Sequence, residues 1–156
     1  MKAVLKSLLI FVLLMSVVIP SLQGQTVRAE SAIGPISLGF TPHDSVLDQN
    51  KPVVYMTKLG SKTLYAVNFS TGEMKTLTLP DPAERLDLQK GKLYVTQHKM
   101  SHDTYNVGPY SGGIAEVDTE TFTLSDTMDI AADPFDIAVD QNGYIYISPG
   151  RDSMGI

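Results

Sequence analysis

Residues 140–148 read Asp140-Gln141-Asn142-Gly143-Tyr144-Ile145-Tyr146-Ile147-Ser148, and two earlier segments repeat the phrase. They are Asp48-Gln49-Asn50-Lys51-Pro52-Val53-Val54-Tyr55-Met56-Thr57 and Gln89-Lys90-Gly91-Lys92-Leu93-Tyr94-Val95-Thr96. Each is a polar turn followed by a strand of the form apolar-Tyr-apolar-Ser/Thr. Tyr55, Tyr94 and Tyr146 lie 39 and 52 residues apart. A unit of about 40–50 residues built from short strands is the pattern of a β-propeller blade.

Working outward, the first unit covers residues 41–80, with strands expected at 45–47, 53–57, 63–69 and 74–79. The second covers 81–132, with strands at 85–88, 92–97, 113–117 and 122–130. Asp118-Thr119-Glu120-Thr121 stands there where the first unit has Asn68-Phe69-Ser70-Thr71. The third, 133–156, holds strands at 136–139 and 144–148, joined by Asn142-Gly143, a pair suited to a two-residue hairpin turn. No stretch of ten or more residues after the N-terminal region has helical periodicity. The expected fold is all-β, an incomplete propeller of about two and a half four-stranded blades, where closure takes ~4–8. The sequence is therefore expected to be the N-terminal fragment of a longer protein. The alternative is a chain that closes its ring with a second chain.

The first 29 residues read as a signal peptide: Lys2 and Lys6, an uncharged apolar run from Ser7 to Ile19, Pro20, and Val27-Arg28-Ala29 as cleavage site. The run is too short for a retained membrane span. Residues 30–40 form a lead-in. Beyond Ala29 all 17 acidic side chains remain, with 9 of the 12 basic ones. That balance argues against nucleic acid or an anionic membrane as partner. The chain has no cysteine, so its stability rests on an apolar core, a habit of bacterial exported proteins. The expected location is secreted or extracytoplasmic, at a bacterial cell surface.

The stretch Pro134-Phe135-Asp136-Ile137-Ala138-Val139-Asp140-Gln141-Asn142-Gly143-Tyr144-Ile145-Tyr146-Ile147 resembles the blade signature of the NHL and YVTN-type β-propellers. Lys92-Leu93-Tyr94-Val95-Thr96, followed by Ile114-Ala115-Glu116-Val117-Asp118-Thr119-Glu120-Thr121, resembles it too. The resemblance covers about residues 41–148. It implies an extracytoplasmic propeller, in a family that ranges from binding scaffolds to lactonase-like enzymes. The glycine usual after Pro-x in that pattern is replaced by Asp44, Glu84 and Asp136.

Those three acids put one carboxylate per unit at the start of the innermost strand. Around a common axis they would form an oxygen-rich site for a divalent cation such as calcium, or for a sugar or amine. The plainer reading is a turn device in which the carboxylate caps backbone N–H groups. His98, His102 and Asp103, with His43, are a second candidate set, and Tyr105 and Tyr110 could stack on a ligand. His98-x-x-x-His102 lacks a helix to align its rings, so exposed loop histidines are the ordinary reading. Tyr55, Tyr94 and Tyr146 read as packing residues. No nucleophile motif or phosphate loop is present, so no catalytic residue is assigned. The expected function is a noncatalytic binding or scaffolding module for a surface polymer, protein or small ligand. The alternative is a fragment of a metal-dependent lactonase-like hydrolase, and a third reading is an inactive, poorly soluble fragment.

Overall fold

The computed structural model describes residues 34–100, 102 and 108–149. The expected signal peptide, Asp103, Tyr105 and residues 150–156 lie outside them. Among the described residues there is no helix, and so none long and apolar enough to cross a membrane. Among the described residues, ten strands form three antiparallel sheets. The first sheet has the order β1 (Ser45–Leu47), β2 (Val53–Met56), β3 (Thr63–Asn68), β4 (Met74–Thr78). The second runs β5 (Ala83–Gln89), β6 (Lys92–His98), β7 (Gly112–Asp118), β8 (Thr123–Ile130). The third is the pair β9 (Pro134–Val139) and β10 (Ile145–Pro149). All are simple meanders, and no sheet closes into a barrel.

Side chains of the turns explain the hairpins. Asn68 Oδ1 accepts the backbone N–H groups of Ser70 and Thr71, and Asp118 Oδ1 those of Glu120 and Thr121. The β3–β4 and β7–β8 turns are therefore the same device, as the aligned sequences predict. Lys90 and Gly91 both have positive φ, 50° and 77°, which makes β5–β6 the two-residue hairpin. At Asn142-Gly143, where such a turn is expected, the loop is longer. Asp140 Oδ1 accepts Asn142 N–H and Tyr144 N–H. This widens the loop, and only Gly143 takes positive φ.

The sheets pack through alternate residues of their strands. On β6, Leu93 and Val95 join a cluster with Tyr55, Leu64, Ala66 and Leu79 of the first sheet and its exit. Tyr94 faces the other way and joins Ile114, Ile137 and Val139, with Ile145 and Ile147 alongside. The middle sheet is thus apolar on both sides, which is why β6 is buried almost throughout. Each aliphatic side chain so buried contributes about 1.5–3 kcal/mol, so these two interfaces dominate the stability of a chain without disulfides. On the first sheet, Phe40 of the lead-in stacks on Tyr65 with ring centroids 4.1 Å apart.

The first strands β1, β5 and β9 lie next to one another, β5 touching both of the others. Each begins with an irregularity. On β5 the register shifts between Ala83, opposite Gln97, and Leu86, opposite Val95, leaving Glu84 and Arg85 against Thr96. On β9 it shifts between Pro134, opposite Pro149, and Asp136, opposite Ser148, leaving Phe135 as the extra residue. Leading into β1, His43 donates to Thr57 O and Asp44 O accepts from Thr57 N, so His43 is the extra residue there. Such β-bulges re-aim side chains.

Candidate functional site

His43, Glu84 and Phe135 are structurally equivalent, one bulge residue per sheet. The last residue of the apolar-Tyr-apolar-Ser/Thr phrase holds the bulge. Thr96 Oγ1 accepts Arg85 N–H at 2.9 Å. Thr57 Oγ1 accepts Asp44 N–H at 3.2 Å and donates to Glu84 O at 2.7 Å. The two hydroxyls, both on fully buried residues, clamp the Glu84–Arg85 peptide from either side.

His102, in the β6–β7 connection, lies against Glu84. His102 Nε2 lies 2.7 Å from Glu84 Oε2, and His102 Nδ1 lies 2.7 Å from Asp133 Oδ2. Glu84 is 2% and Asp133 6% exposed. Burial works against a charged imidazole, but hydrogen bonds to Asp133 and Glu84 outweigh it and raise the His102 pKa. His98, at the end of β6, has its ring centroid 5.7 Å from that of His102. Glu84, His98 and His102 each offer a ligand atom, and these atoms all lie within 4.8 Å of one another. His43 Nε2 approaches Glu84 Oε1 at 3.7 Å. Phe135 meets the His102 ring edge-on, centroids 5.9 Å apart, and carries the Arg85 guanidinium over its face at 5.2 Å.

Four buried polar atoms here lack a hydrogen-bond partner: His43 Nε2, Arg85 Nε, His98 Nδ1 and Asp133 Oδ1. Buried polar groups are rarely left unpaired, and these four surround one carboxylate–imidazole pair. A separate wedge of about 250 Å³ between the first two sheets, lined by Lys51, Tyr55, Asn68 and Phe122 among others, shares none of these residues. It has no convergent set of metal-ligating side chains, unlike Glu84, His98 and His102.

Of the sequence-predicted residues, the structure brings together Glu84, His98 and His102. Asp44 and Asp136 do not join them. Arg85, not Glu84, is the register equivalent of those two aspartates, because the Pro-x-acid phrase sits one position earlier in the second unit and puts Glu84 on the bulge, where the other units have His43 and Phe135. Asp44 instead accepts Ser45 N–H and Leu86 N–H, and Asp136 Oδ1 accepts Ile137 N–H. Tyr110 is 37% exposed and follows a cis Gly108–Pro109 bond. Asp133 and Phe135 were not singled out from sequence. The signal available was the dipeptide Asp-Pro before both later units, Asp81-Pro82 and Asp133-Pro134.

No family model matches the chain, and no curated protein matches it.

Proposed function

We propose that the chain is an exported, noncatalytic binding module of the β-propeller type, similar to the NHL and YVTN repeats, whose working end is the one bearing the bulges. The stacking of three antiparallel sheets with their first strands side by side supports the architecture. The observation that carries the function is the convergence of one bulge residue from each sheet with His98, His102 and Asp133. Structure alone gives no reason to aim three equivalent positions and a long connection at one point. The half-exposed Phe135 ring, the Arg85 guanidinium and the imidazoles provide a surface that can stack and donate hydrogen bonds. This suits a polyhydroxylated or carboxylate-bearing surface polymer or small ligand, met outside the cytoplasm.

The test is an NMR titration of the full chain with a panel of cell-surface oligosaccharides and short acidic peptides. Saturable shifts of the His102 and Phe135 ring signals, absent in Phe135→Ala, are the expected result. A panel that moves only signals of the Tyr55–Phe122 wedge, or none, ends the reading.

A second reading is favoured by one observation, the two-imidazole, one-carboxylate set of Glu84, His98 and His102. A metal held there by three protein ligands leaves a position for water, the arrangement of hydrolytic sites. That reading makes the protein part of a metal-dependent lactonase-like hydrolase. Hydrolysis of a simple γ-lactone, followed by proton release and lost in His98→Ala, would establish it over the binding role.

A further inference from the structure

We infer that Glu84, His98 and His102 bind one first-row transition-metal ion of the Zn²⁺ type, with Asp133 as the residue that orients His102. The inference shares only its location with the proposed binding function. The donor set decides the class of metal. Two imidazole nitrogens and one carboxylate suit zinc and its neighbours, whereas calcium takes 6–8 oxygens. The calcium site expected from Asp44, Glu84 and Asp136 has no such cage, since Asp44 is engaged by backbone N–H groups.

The geometry needs little change. Zinc sits about 2.0–2.2 Å from nitrogen and oxygen ligands in a tetrahedral site. His102 Nε2 and Glu84 Oε2, now 2.7 Å apart, must therefore open to roughly 3.3 Å by those bond lengths. A small rotation of the Glu84 side chain achieves that. The His102 Nδ1–H to Asp133 Oδ2 bond is kept, giving the carboxylate–histidine–metal relay that fixes the imidazole of many metal sites. His98 Nδ1, buried and unpaired, gains a partner as the third ligand.

The charge count agrees. Glu84 and Asp133 bring two negative charges to a place where their side chains are 3% and 7% exposed. A protonated His102 balances one of them. His43, at 3.7 Å from Glu84, is too far for a hydrogen bond. A divalent ion with neutral imidazoles balances both, and buried charge left uncompensated is costly. The competing account is an imidazolium held between two carboxylates with no metal, and it leaves His98 Nδ1 unexplained.

The experiment is calorimetric titration of the full chain, stripped with chelator, with ZnCl₂ and separately with CaCl₂. One zinc per chain is expected, with a rise in the unfolding midpoint, and no response to calcium. Co²⁺ should give the visible bands of a four-coordinate site. His98→Ala should lower zinc affinity at least about tenfold, as loss of even an outer-shell partner does. The metal-free unfolding midpoint should fall much less than the zinc-bound one, because His98 Nδ1 has no hydrogen bond to lose and only the ring's packing against His102 is removed. Asp133→Asn should weaken zinc about 10–100-fold without abolishing it. Glu84→Gln should lose zinc, and if it fails to fold, His98→Ala decides. No heat and no midpoint shift with zinc overturns the inference, as does zinc binding that His98→Ala leaves intact. Zinc binding without any oligosaccharide or peptide response keeps the metal site and sinks the binding function. Ligand binding that persists in chelator, with no zinc heat, does the reverse.

Discussion

Asp44 belongs to the first sheet, yet its Oδ2 accepts the backbone N–H of Leu86 in the second at 2.8 Å. Its Oδ1 accepts Ser45 N–H on its own strand. Asp87 repeats the arrangement one sheet on, with Oδ1 on Leu88 N–H and Oδ2 on Val139 N–H. β1, β5 and β9 are each the edge strand of a sheet. An edge strand presents N–H groups that no neighbouring strand can satisfy. Each aspartate serves two such groups, one per strand, and so stitches adjacent sheets together along the line where they meet.

Replacing Asp44 with Ala is therefore expected to destabilise the chain by about 2 kcal/mol, since hydrogen bonds to charged groups are worth about 1.5–3 kcal/mol and the Ser45 side is open to water. Asp44→Asn should cost less, because its amide oxygen can still accept from Leu86. Urea unfolding measures both. Equal stability of wild type and Asp44→Ala would show that the stitch contributes nothing.

Thr57→Val tests how the site is held. The substitution keeps the shape but removes the hydroxyl that accepts Asp44 N–H and donates to Glu84 O. Two buried backbone groups lose a partner, at about 1–3 kcal/mol each. The His102 ring signals should shift as well, since Glu84 is displaced. Thr96→Val removes the matching bond to Arg85 N–H but none to Glu84 O, and should move those signals less. NMR spectra of the two variants, side by side, decide it.

The strands were readable because alternation and turn residues are local. All ten occur where the repeated phrase puts them, within a few residues at each end. The site was only half readable. The repeated Pro-x-acid pattern drew Asp44, Glu84 and Asp136 together, but a bulge is a change of register that side-chain types do not encode. Every first strand has the bulge, but the phrase starts one residue earlier in the second unit, so Glu84 falls on it while Asp44 and Asp136 come just after it. His98 and His102 were visible as residue types. Their meeting with Glu84 depends on the path of the β6–β7 connection, which no local pattern specifies.

Gly112 is where the second sheet makes way for the third. A Cβ there would lie 2.3 Å from Pro134 Cδ and 2.7 Å from Ala132 O. Neither can retreat without moving Asp133. Gly112→Ala should cost about 1–3 kcal/mol as overpacking does, and more if the backbone cannot yield. It should also disturb the His102 ring signals by displacing Asp133. Gly113→Ala, whose nearest contact would be 3.5 Å, is the control, with a thermal melt and the His102 spectrum as readouts.

Tyr55 should add to the loss of stability at alkaline pH. Burial and then the nearby Asp48 charge push its pKa up to about 12 from 10.0. The unfolded chain ionises Tyr55 above pH 10, while the folded chain keeps it protonated. Above that pH the unfolded state therefore binds fewer protons, and stability must fall as pH rises. Its contribution is complete below pH 10 and is lost between 10 and about 12. In Tyr55→Phe this part of the loss should vanish, so the stability difference between the two proteins should change across that window and be constant below it. A difference that stays flat to pH 12 would mean that Tyr55 ionises freely in the folded chain.

Tyr146 stands in the third sheet where Tyr55 and Tyr94 stand in the first two, opposite Ala138 as they are opposite Val46 and Asp87. The earlier two are 1% and 7% exposed because the following sheet covers them, but Tyr146 is 58% exposed. Asp136 on the paired strand β9 repeats the first half of the stitch, with Oδ1 on Ile137 N–H. Mutational cost should follow cover rather than residue type. Tyr55→Ala and Tyr94→Ala should each cost about 3–5 kcal/mol, as for large buried aromatic side chains. Tyr146→Ala should stay within about 0.5 kcal/mol, as exposed substitutions do. Urea unfolding of the three variants checks the ordering. A loss at Tyr146 as large as at Tyr94 would mean that something already packs on the third sheet in solution. Concentration dependence of that loss would identify the cover as another copy of the chain.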